Sequence, residues 1–342
     1  MVTAFWAIVV FLILIFVHEF GHFIAAKSVG ITVHEFALGM GPAIFKKQYK
    51  GTEYSIRILP IGGYCKMEGE DETSDDAGAF SNKSAIARVF VLVSGAFMNL
   101  LLGFIVFVAI MFMSQQISVP VIDTVVPDSG AQIAGLQSGD RITRINNAKI
   151  NGQNDVTFAL SRYKEGEITV GYLRDGVNKT VALTPKLSEA GTYIIGFKPQ
   201  TETLTFGTRI QNAYYQTEFM GKVILFSLGD LVTGKLSIKQ MAGPVGIVTE
   251  IGSAAKQGPL DLLYLVALIT INLGIFNLLP IPALDGGRVF FILVELIRRK
   301  KIPAEKEGIV HLVGFALLIL LMIFTTSNDI GRIFTSAFGP KI

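Results

Sequence analysis

Charged residues and cysteine are scarce in this 342-residue chain. Asp, Glu, Lys and Arg make up 17% of the residues, whereas soluble proteins carry about 25%. Cys65 is the only cysteine, which excludes a disulfide framework and a metal site built from several thiolates. The net charge of +3 is small and the basic residues are scattered, so no nucleic-acid partner is expected. This composition indicates a membrane protein.

Apolar residues make up 51% of the chain and are concentrated in long runs. Crossing a bilayer as a helix takes about 20 such residues. The segments that meet this requirement lie at residues 2–26, 89–113, 262–279 and 309–324. We therefore expect an α-helical polytopic protein with four transmembrane helices in contact with the lipid bilayer. The first run is interpreted as a retained helix, because it lacks the basic start and the small-residue cleavage site of a signal peptide.

Lysine and arginine residues predict the orientation of these helices, because they accumulate in cytoplasmic connections. The connections at residues 28–85 and 298–308 are both rich in them, and none precedes the first apolar run. Both connections are therefore expected in the cytoplasm. Both termini and the long central region are expected outside it.

The first apolar run contains His18, Glu19 and His22 in the sequence HEFGH. The two histidines share one face of a helix, and ionisable groups inside a membrane helix are costly enough to predict a function. H-E-x-x-H is a zinc-binding arrangement, so we predict Zn²⁺ as the cofactor. Glu19 is too close in sequence to both histidines to be a relaxed third ligand. It is better suited to act as general base, and later as acid, in a hydrolytic reaction.

A third zinc ligand is expected, because catalytic zinc sites usually have three from the protein. In the sequence NLLPIPALDGG, Asp285 follows Pro280 and Pro282, which cannot continue an α-helix. Broken backbone at membrane depth needs protein or water around it, so we predict that Asp285 enters a polar cavity and binds zinc. Two alternatives remain from the local sequence. Asp285 could cap a helix beginning at Gly286, and Asn277 could form a hydrogen bond between helices.

Two regions between the apolar runs have the patterns of β-structure. In the cytoplasmic connection, residues 54–58 alternate polar and apolar side chains, which predicts a β-hairpin or small sheet, with a tight reversal at Gly62 and Gly63. Residues 120–199 contain short strand-like runs separated by Gly, Asn and Asp, with a helical stretch near residues 155–162. This pattern indicates an extracytoplasmic α+β domain.

The motifs together resemble the site-2 protease family. They are HEFGH, NLLPIPALDGG, PIGGY at residues 60–64, and AQIAGLQSGDRITRIN at residues 131–146, which resembles a circularly permuted bacterial PDZ domain. The resemblance covers nearly the whole chain. It implies a multi-pass zinc metalloprotease of the bacterial plasma membrane with its active site toward the cytoplasm. The implied substrates are single-span membrane proteins, such as anti-sigma factors and remnant signal peptides, cut within their transmembrane segments after another protease has trimmed them.

The resemblance also implies roles for residues near the third apolar run. In that family the aspartate of the L-D-G motif, here Asp285, is the third zinc ligand. Asn277, Pro280 and Pro282 match residues that are associated with substrate binding and with shaping the site.

Further roles are implied outside the helices. Gly62 and Gly63 match an edge strand that pairs with substrate. Ile195, Gly196 and Phe197 match the loop by which a PDZ domain captures a peptide carboxylate, so a PDZ ligand peptide or the trimmed substrate end is a further expected partner. An ordinary closing strand is the alternative for that loop. Some family members have two tandem PDZ domains, whereas this chain has room for one.

The predicted domain organisation follows the chain from one membrane helix to the next. Its parts are the first helix (1–27), the hairpin region (28–85), the second helix (86–114), the PDZ domain (115–200), interfacial amphipathic helices (201–260), the third helix with its motif (261–297), a basic cytoplasmic loop (298–308), the fourth helix (309–328) and an extracytoplasmic tail (329–342). Two other functions are considered. A metal-binding transporter would carry polar groups along a path, whereas here they converge at one depth, and a non-catalytic PDZ scaffold would not need Glu19.

Overall fold

The computed structural model describes residues 2–70, 72, 74–300 and 302–338. They form two compact units, Met1–Val106 with Gly221–Ile342, and Phe107–Met220. The helices in chain order are α1 (Val2–Ser28), α2 (Ala85–Met113), α3 (Gly130–Ile133), α4 (Gln153–Ser161), α5 (Phe206–Val232), α6 (Pro244–Gln257), α7 (Pro259–Leu278), α8 (Asp285–Arg298) and α9 (Ala304–Phe338). The strands are β1 (Val33–Tyr49), β2 (Thr52–Met67), β3 (Gln116–Val125), β4 (Arg141–Ile145), β5 (Ala148–Lys149), β6 (Ile168–Arg174), β7 (Val177–Leu183), β8 (Lys186–Leu187), β9 (Tyr193–Ile194) and β10 (Phe197–Thr203). The fold is therefore mostly helical with small antiparallel sheets, as predicted.

Four helices in the described part of the chain are long and apolar enough to cross a membrane. They are α1, α2, α7 and the stretch Glu305–Thr335 of α9, which confirms the four predicted spans. The fourth prediction ended at residue 328, whereas α9 continues to Phe338. Asp329 lies in this extension, and its buried carboxylate accepts hydrogen bonds from the backbone N–H groups of Gly243 and Gly246. Residues 339–342 of the predicted tail, and Lys301 of the predicted basic loop, lie outside the described residues.

The first helix packs against different elements at its two ends. Near its start, Ala7, Val10 and Leu14 are buried with Ile251 of α6 and Leu262 of α7. Its last turns join a second apolar cluster, whose buried members are Ala25, Ala26, Ile31, Val33, Phe36, Cys65, Met67, Phe80, Val91, Leu92 and Ile292. The HEFGH sequence lies between the two clusters, so α1 is held on both sides of the motif.

The predicted helix break after α7 is present. Leu278 ends α7, Asp285 begins α8, and the connecting segment contains Pro280 and Pro282. This segment folds closely against the start of α8, where a Cβ on Gly287 would lie 3.0 Å from the carbonyl carbon of Ile281. Glycine is therefore required at that position.

The hairpin region forms the predicted small sheet, in which the chain reverses direction more than once. The chain turns at Lys50 and Gly51, which have φ values of 47° and 79°, as a two-residue type I′ hairpin turn requires. Gly62 and Gly63 lie inside the span of β2, but the chain also reverses close to them. Residues 53–56 pair with residues 35–38 in the same direction, whereas residues 63–66 pair with residues 35–38 in the opposite direction. A change of direction between residues 56 and 63 is therefore present, next to the predicted position.

Register shifts divide β1 and β2 into shorter paired segments. Residues 35–38 pair on one side with residues 63–66 and on the other with residues 53–56. Residues 43–49 pair with residues 52–57. In the described part of the chain, residues 59–67 pair only with β1, and we call these residues the edge segment.

The unit Phe107–Met220 contains a sheet in the order β10-β3-β4-β6-β7, with β5 paired to β4. Its apolar core includes Ile122, Ile142, Val156 and Val170, so α4, at the predicted helical stretch, packs on the sheet. Helices and strands are combined here as the predicted α+β domain requires.

Candidate metal centre

Small residues bring α2 close to the histidines of α1. A Cβ on Gly21 would lie 2.9 Å from the Met98 side chain, and a Cβ on Gly95 would overlap the imidazole of His22. Ser94 Oγ donates a hydrogen bond to the Gly21 carbonyl oxygen over 2.9 Å. Small residues with interhelical hydrogen bonds are typical of tight packing between membrane helices. Here this packing creates the space that the ring of His22 occupies.

Three possible metal ligands converge at this position. His18 Nε2 lies 3.2 Å from His22 Nε2, and each of these nitrogens lies 3.3 Å from Asp285 Oδ2. Tetrahedral zinc with ligands at about 2.0–2.1 Å separates its ligand atoms by about 3.3 Å. Asp285 Oδ2 is buried and accepts no hydrogen bond of normal geometry. The three residues therefore fit a zinc ion, with nitrogen and oxygen donors that zinc prefers.

The second ring nitrogen of each histidine contacts α2. His22 Nδ1 donates to the Val91 carbonyl oxygen over 2.9 Å, which leaves the Nε2 lone pair free for a metal. His18 Nδ1 lies 3.1 Å from the side-chain amide of Asn99. The Asn99 Oδ1 atom is buried without a partner, and exchanging the two amide positions by a 180° rotation lets it accept from His18 Nδ1–H. Asn99 thus orients His18.

Sequence reasoning missed Asn99. It is fully buried in α2, and its backbone carbonyl accepts a hydrogen bond from Thr270 Oγ1 of α7 over 3.0 Å. The available signal was the spacing of Gly95 and Asn99, a small residue and a polar residue one helical turn apart in an apolar segment. Polar groups in such a segment predict a function or a helix contact.

Glu19 lies beside the ligands and beneath the edge segment. Its carboxylate interacts with the backbone N–H of Cys65. A Cβ on Gly63 would lie 3.3 Å from Glu19 Cγ and 2.9 Å from the Ala37 carbonyl oxygen. The edge segment therefore passes directly over the carboxylate, and a glycine is needed for this close approach.

The ligands and Glu19 line a cleft of about 1030 Å³. Its other lining residues are His34, Gly63, Tyr64, Cys65, Lys66, Met67, Glu68, Gly69, Glu70, Glu72, Ser74, Leu92, Ala283, Leu284 and Arg288. Most of these belong to the edge segment and to the polar connection that follows it. The hairpin region therefore forms most of the wall of the cleft that contains the ligands.

A cluster of hydrogen bonds fixes the sheet beside the cleft. Glu35 accepts hydrogen bonds from Ser55 Oγ and Arg57 over 2.6 Å each, and from the Tyr64 hydroxyl over 2.8 Å. Burial alone would raise the pKa of Glu35, but these hydrogen bonds outweigh it and lower the pKa to about 2. Burial and the hydrogen bond to Glu35 raise the pKa of Tyr64 to about 12. An ionised Glu35 therefore links residues 53–57 on one side of β1 to the edge segment on the other, and it holds Tyr64 at the cleft.

The structure brings His18, Glu19, His22, Asp285 and Gly63 together. The alternative that Asp285 caps a helix is not what the structure has. Asp285 is the first residue of α8, and the N-cap residue is Leu284, whose side chain forms no capping hydrogen bond.

The other predicted site residues are not among those that line the cleft. Asn277 is buried at the end of α7, and Pro280 and Pro282 lie in the segment before α8. Gly62, with a φ of 80°, lies in the edge segment. Their roles toward substrate stay predictions.

The predicted PDZ loop lies in the other unit. Ile195 is 1% exposed and belongs to the core, Gly196 has a φ of 94°, and Phe197 begins β10. Its capture of a carboxylate stays a prediction.

Comparison with known proteins identifies a family. Residues 6–321 match Peptidase family M50. A Clostridium acetobutylicum protein named as a candidate zinc metalloprotease is 42% identical over 328 residues, which cover 95% of this chain and 96% of that one. Zinc metalloprotease RasP of Bacillus licheniformis is 33% identical over an alignment of 411 positions, which covers 96% of this chain and 98% of that one. The PDZ domain of the SdrC-like protein from Listeria monocytogenes matches 23% of this chain and 84% of that domain, at 20% identity and a TM-score of 0.22. That score is too low to assign the fold.

The family match and the two relatives each extend over most of the chain. They favour the predicted protease over the transporter and the scaffold. The chain belongs to Peptidase family M50, the site-2 protease family, and is a metalloprotease.

Proposed function

We propose that this membrane protein is a zinc-dependent intramembrane endopeptidase that cuts transmembrane segments of single-span membrane proteins. The observation that supports this most is the position of the ligands. His18 and His22 lie in a helix long and apolar enough to span a membrane, and Asp285 reaches them from the break between α7 and α8. A protease centre in this position acts on peptide bonds that are themselves in the membrane.

The residues at the centre divide the chemistry among them. Zinc held by His18, His22 and Asp285 would polarise the scissile carbonyl and lower the pKa of the attacking water. Glu19 takes the proton from that water and delivers it to the leaving nitrogen. Glu19 lines the cleft beside these ligands, where a substrate's peptide bond would lie.

The edge segment provides a way to bind an unwound substrate. A peptide bond in a membrane helix is protected by its own hydrogen bonds, and unwinding exposes backbone groups that must find partners. In the described chain the edge segment pairs on one side only, so its other side can pair with an extended peptide by strand addition. Asn277, Pro280 and Pro282 are proposed to shape the site and to contact this peptide.

We place the cleft toward the cytoplasm of a bacterial cell. The proposal is supported by the basic residues Lys46, Lys47 and Lys50 at the hairpin turn and by those of the 298–308 connection, since such residues accumulate on the cytoplasmic side. Both termini are then outside the cytoplasm. A cysteine introduced at Lys50 should react with a membrane-impermeant thiol reagent only after the cells are opened. Equal reaction in intact cells would contradict this orientation.

We propose separately that the domain at residues 115–200 takes a peptide, such as a trimmed substrate end. The proposal is supported by β10, which follows Gly196 and lies at the edge of its sheet. Deleting residues 120–199 should change which substrates are cut more than it changes turnover. Loss of cleavage of every substrate would contradict this role.

The proteolytic proposal is tested by replacing Glu19 with glutamine. The variant should keep its zinc, because the three ligands are untouched. It should cleave a model single-span substrate about 10²–10⁴-fold more slowly, because general-base catalysis is lost. Glu250→Gln, at an exposed position of α6, is the matched control and should behave as the wild type. Full activity of Glu19→Gln would refute the assignment of the base.

A further inference from the structure

The segment before Asp285 contains an unusual backbone conformation. Ala283 has a φ of 74°, in the left-handed region that residues with a Cβ rarely adopt. Such a conformation persists only where the surrounding structure holds it. Because Ala283 lies two residues before Asp285, its conformation sets the direction in which the chain enters α8. The contacts that hold Ala283 therefore bear on the position of the third ligand.

His311 of α9 makes the contact that holds Ala283. The backbone N–H of Ala283 donates a hydrogen bond to His311 Nδ1 over 2.8 Å. Since Nδ1 accepts this bond, the proton of the neutral ring is on Nε2. Glu307 Oε1 lies 3.6 Å from Nε2, and the Phe291 ring of α8 lies with its centroid 5.6 Å from that of the imidazole. The ring is therefore fixed with its acceptor nitrogen toward Ala283.

Gly314 provides a second contact on the same face of α9, one helical turn further along. A Cβ on Gly314 would lie 2.7 Å from the Pro282 carbonyl oxygen and would overlap the Pro282 ring. The absence of a side chain there allows α9 to approach the segment closely. His311 and Gly314 thus hold two successive residues of the segment against α9.

We propose that His311 is a positioning residue for the metal centre, acting through Ala283. By accepting the Ala283 N–H, it stabilises the left-handed conformation that directs Asp285 toward His18 and His22. Its role in this proposal is to hold the backbone before Asp285, and no proton transfer is assigned to it. This inference rests on the zinc centre proposed above.

The test compares zinc affinity among variants of the full-length protein. His311→Phe keeps a planar ring and removes the acceptor, whereas His311→Asn places an acceptor oxygen near the position of Nδ1. Zinc dissociation constants are measured by competition with a chelator, alongside the melting temperature. His311→Phe should bind zinc about 10–100-fold more weakly, as is typical when a residue that orients a ligand is lost. His311→Asn should bind zinc nearly as well as the wild type, and Leu312→Ala, at an exposed neighbouring position, should match it.

Wild-type zinc affinity in His311→Phe would overturn the proposal, and so would equal weakening in His311→Asn. If His311→Phe fails to fold, Gly314→Ala replaces it, and unchanged zinc affinity in that variant would overturn the proposal. Asp285→Ala separates this proposal from the zinc centre itself. If Asp285→Ala binds zinc as tightly as the wild type, the proposed zinc centre is refuted. If Asp285→Ala loses zinc and His311→Phe binds it normally, only the role of His311 is refuted.

Discussion

Replacing Asp285 with asparagine should weaken zinc binding and leave the fold intact. The carboxylate oxygen Oδ2 lies 3.3 Å from both histidine nitrogens and accepts no hydrogen bond of normal geometry. The amide of asparagine has a similar shape but no charge, and it is a poor zinc ligand. The substitution therefore removes one of three protein ligands without creating a cavity.

The size of the effect follows from the number of ligands. Structural zinc sites with four protein ligands bind with about 10–16 kcal/mol of free energy, or about 3–4 kcal/mol for each ligand. Loss of one ligand should therefore weaken zinc binding by about 10²–10³-fold, since 1.4 kcal/mol corresponds to a factor of ten. Proteolysis at limiting zinc should fall in parallel.

The assay is chelator competition monitored by zinc content, so it does not depend on a substrate. Asp261→Asn, at an exposed position in the first turn of α7, makes the same chemical change away from the centre and should bind zinc normally. If Asp285→Asn binds zinc as tightly as this control, then Asp285 is not a ligand and the geometric argument is wrong.

Two further predictions concern the sheet beside the cleft. Gly63→Ala should reduce cleavage and leave the zinc content unchanged, because the added Cβ would lie 2.8 Å from Ile15 Cγ2 and displace the edge segment. The control is Gly308→Ala, since Gly308 has open space around it. Cleavage by Gly63→Ala equal to that of this control would contradict the prediction. Since folding lowers the pKa of Glu35 from its ordinary value of 4.5 to about 2, the ionised group contributes up to about 3 kcal/mol of stability above pH 4.5, which is lost as the pH falls toward 2. Thermal unfolding should therefore show Glu35→Gln less stable than the wild type at neutral pH, with the difference shrinking in acid, and a difference that does not depend on pH would refute it.

The sequence predicted the parts of the site that have local signals. H-E-x-x-H on a helix has a fixed spacing, and two prolines necessarily end α7, so both halves of the centre were found before their distance was known. The four apolar spans were found for the same reason, because length and composition alone define them.

The parts that sequence reasoning missed depend on contacts between distant segments. Asn99 matters only because α2 packs against α1 where His18 lies, and His311 only because α9 packs against the segment before Asp285. The turn at Lys50 was not predicted, because a lysine carries no strong turn signal. The prediction ended the fourth helix at residue 328, before Asp329, whose partners are backbone N–H groups at the start of α6.

The proposed centre cuts peptide bonds inside a membrane segment. The most direct measurement is mass spectrometry of the products from a single-span substrate reconstituted in lipid with the zinc-loaded protein, with Glu19→Gln as the inactive control. We expect a cut within the apolar stretch of the substrate, and no such cut with the control. A cut confined to the polar flanks of the substrate, or one that persists in Glu19→Gln, would contradict it.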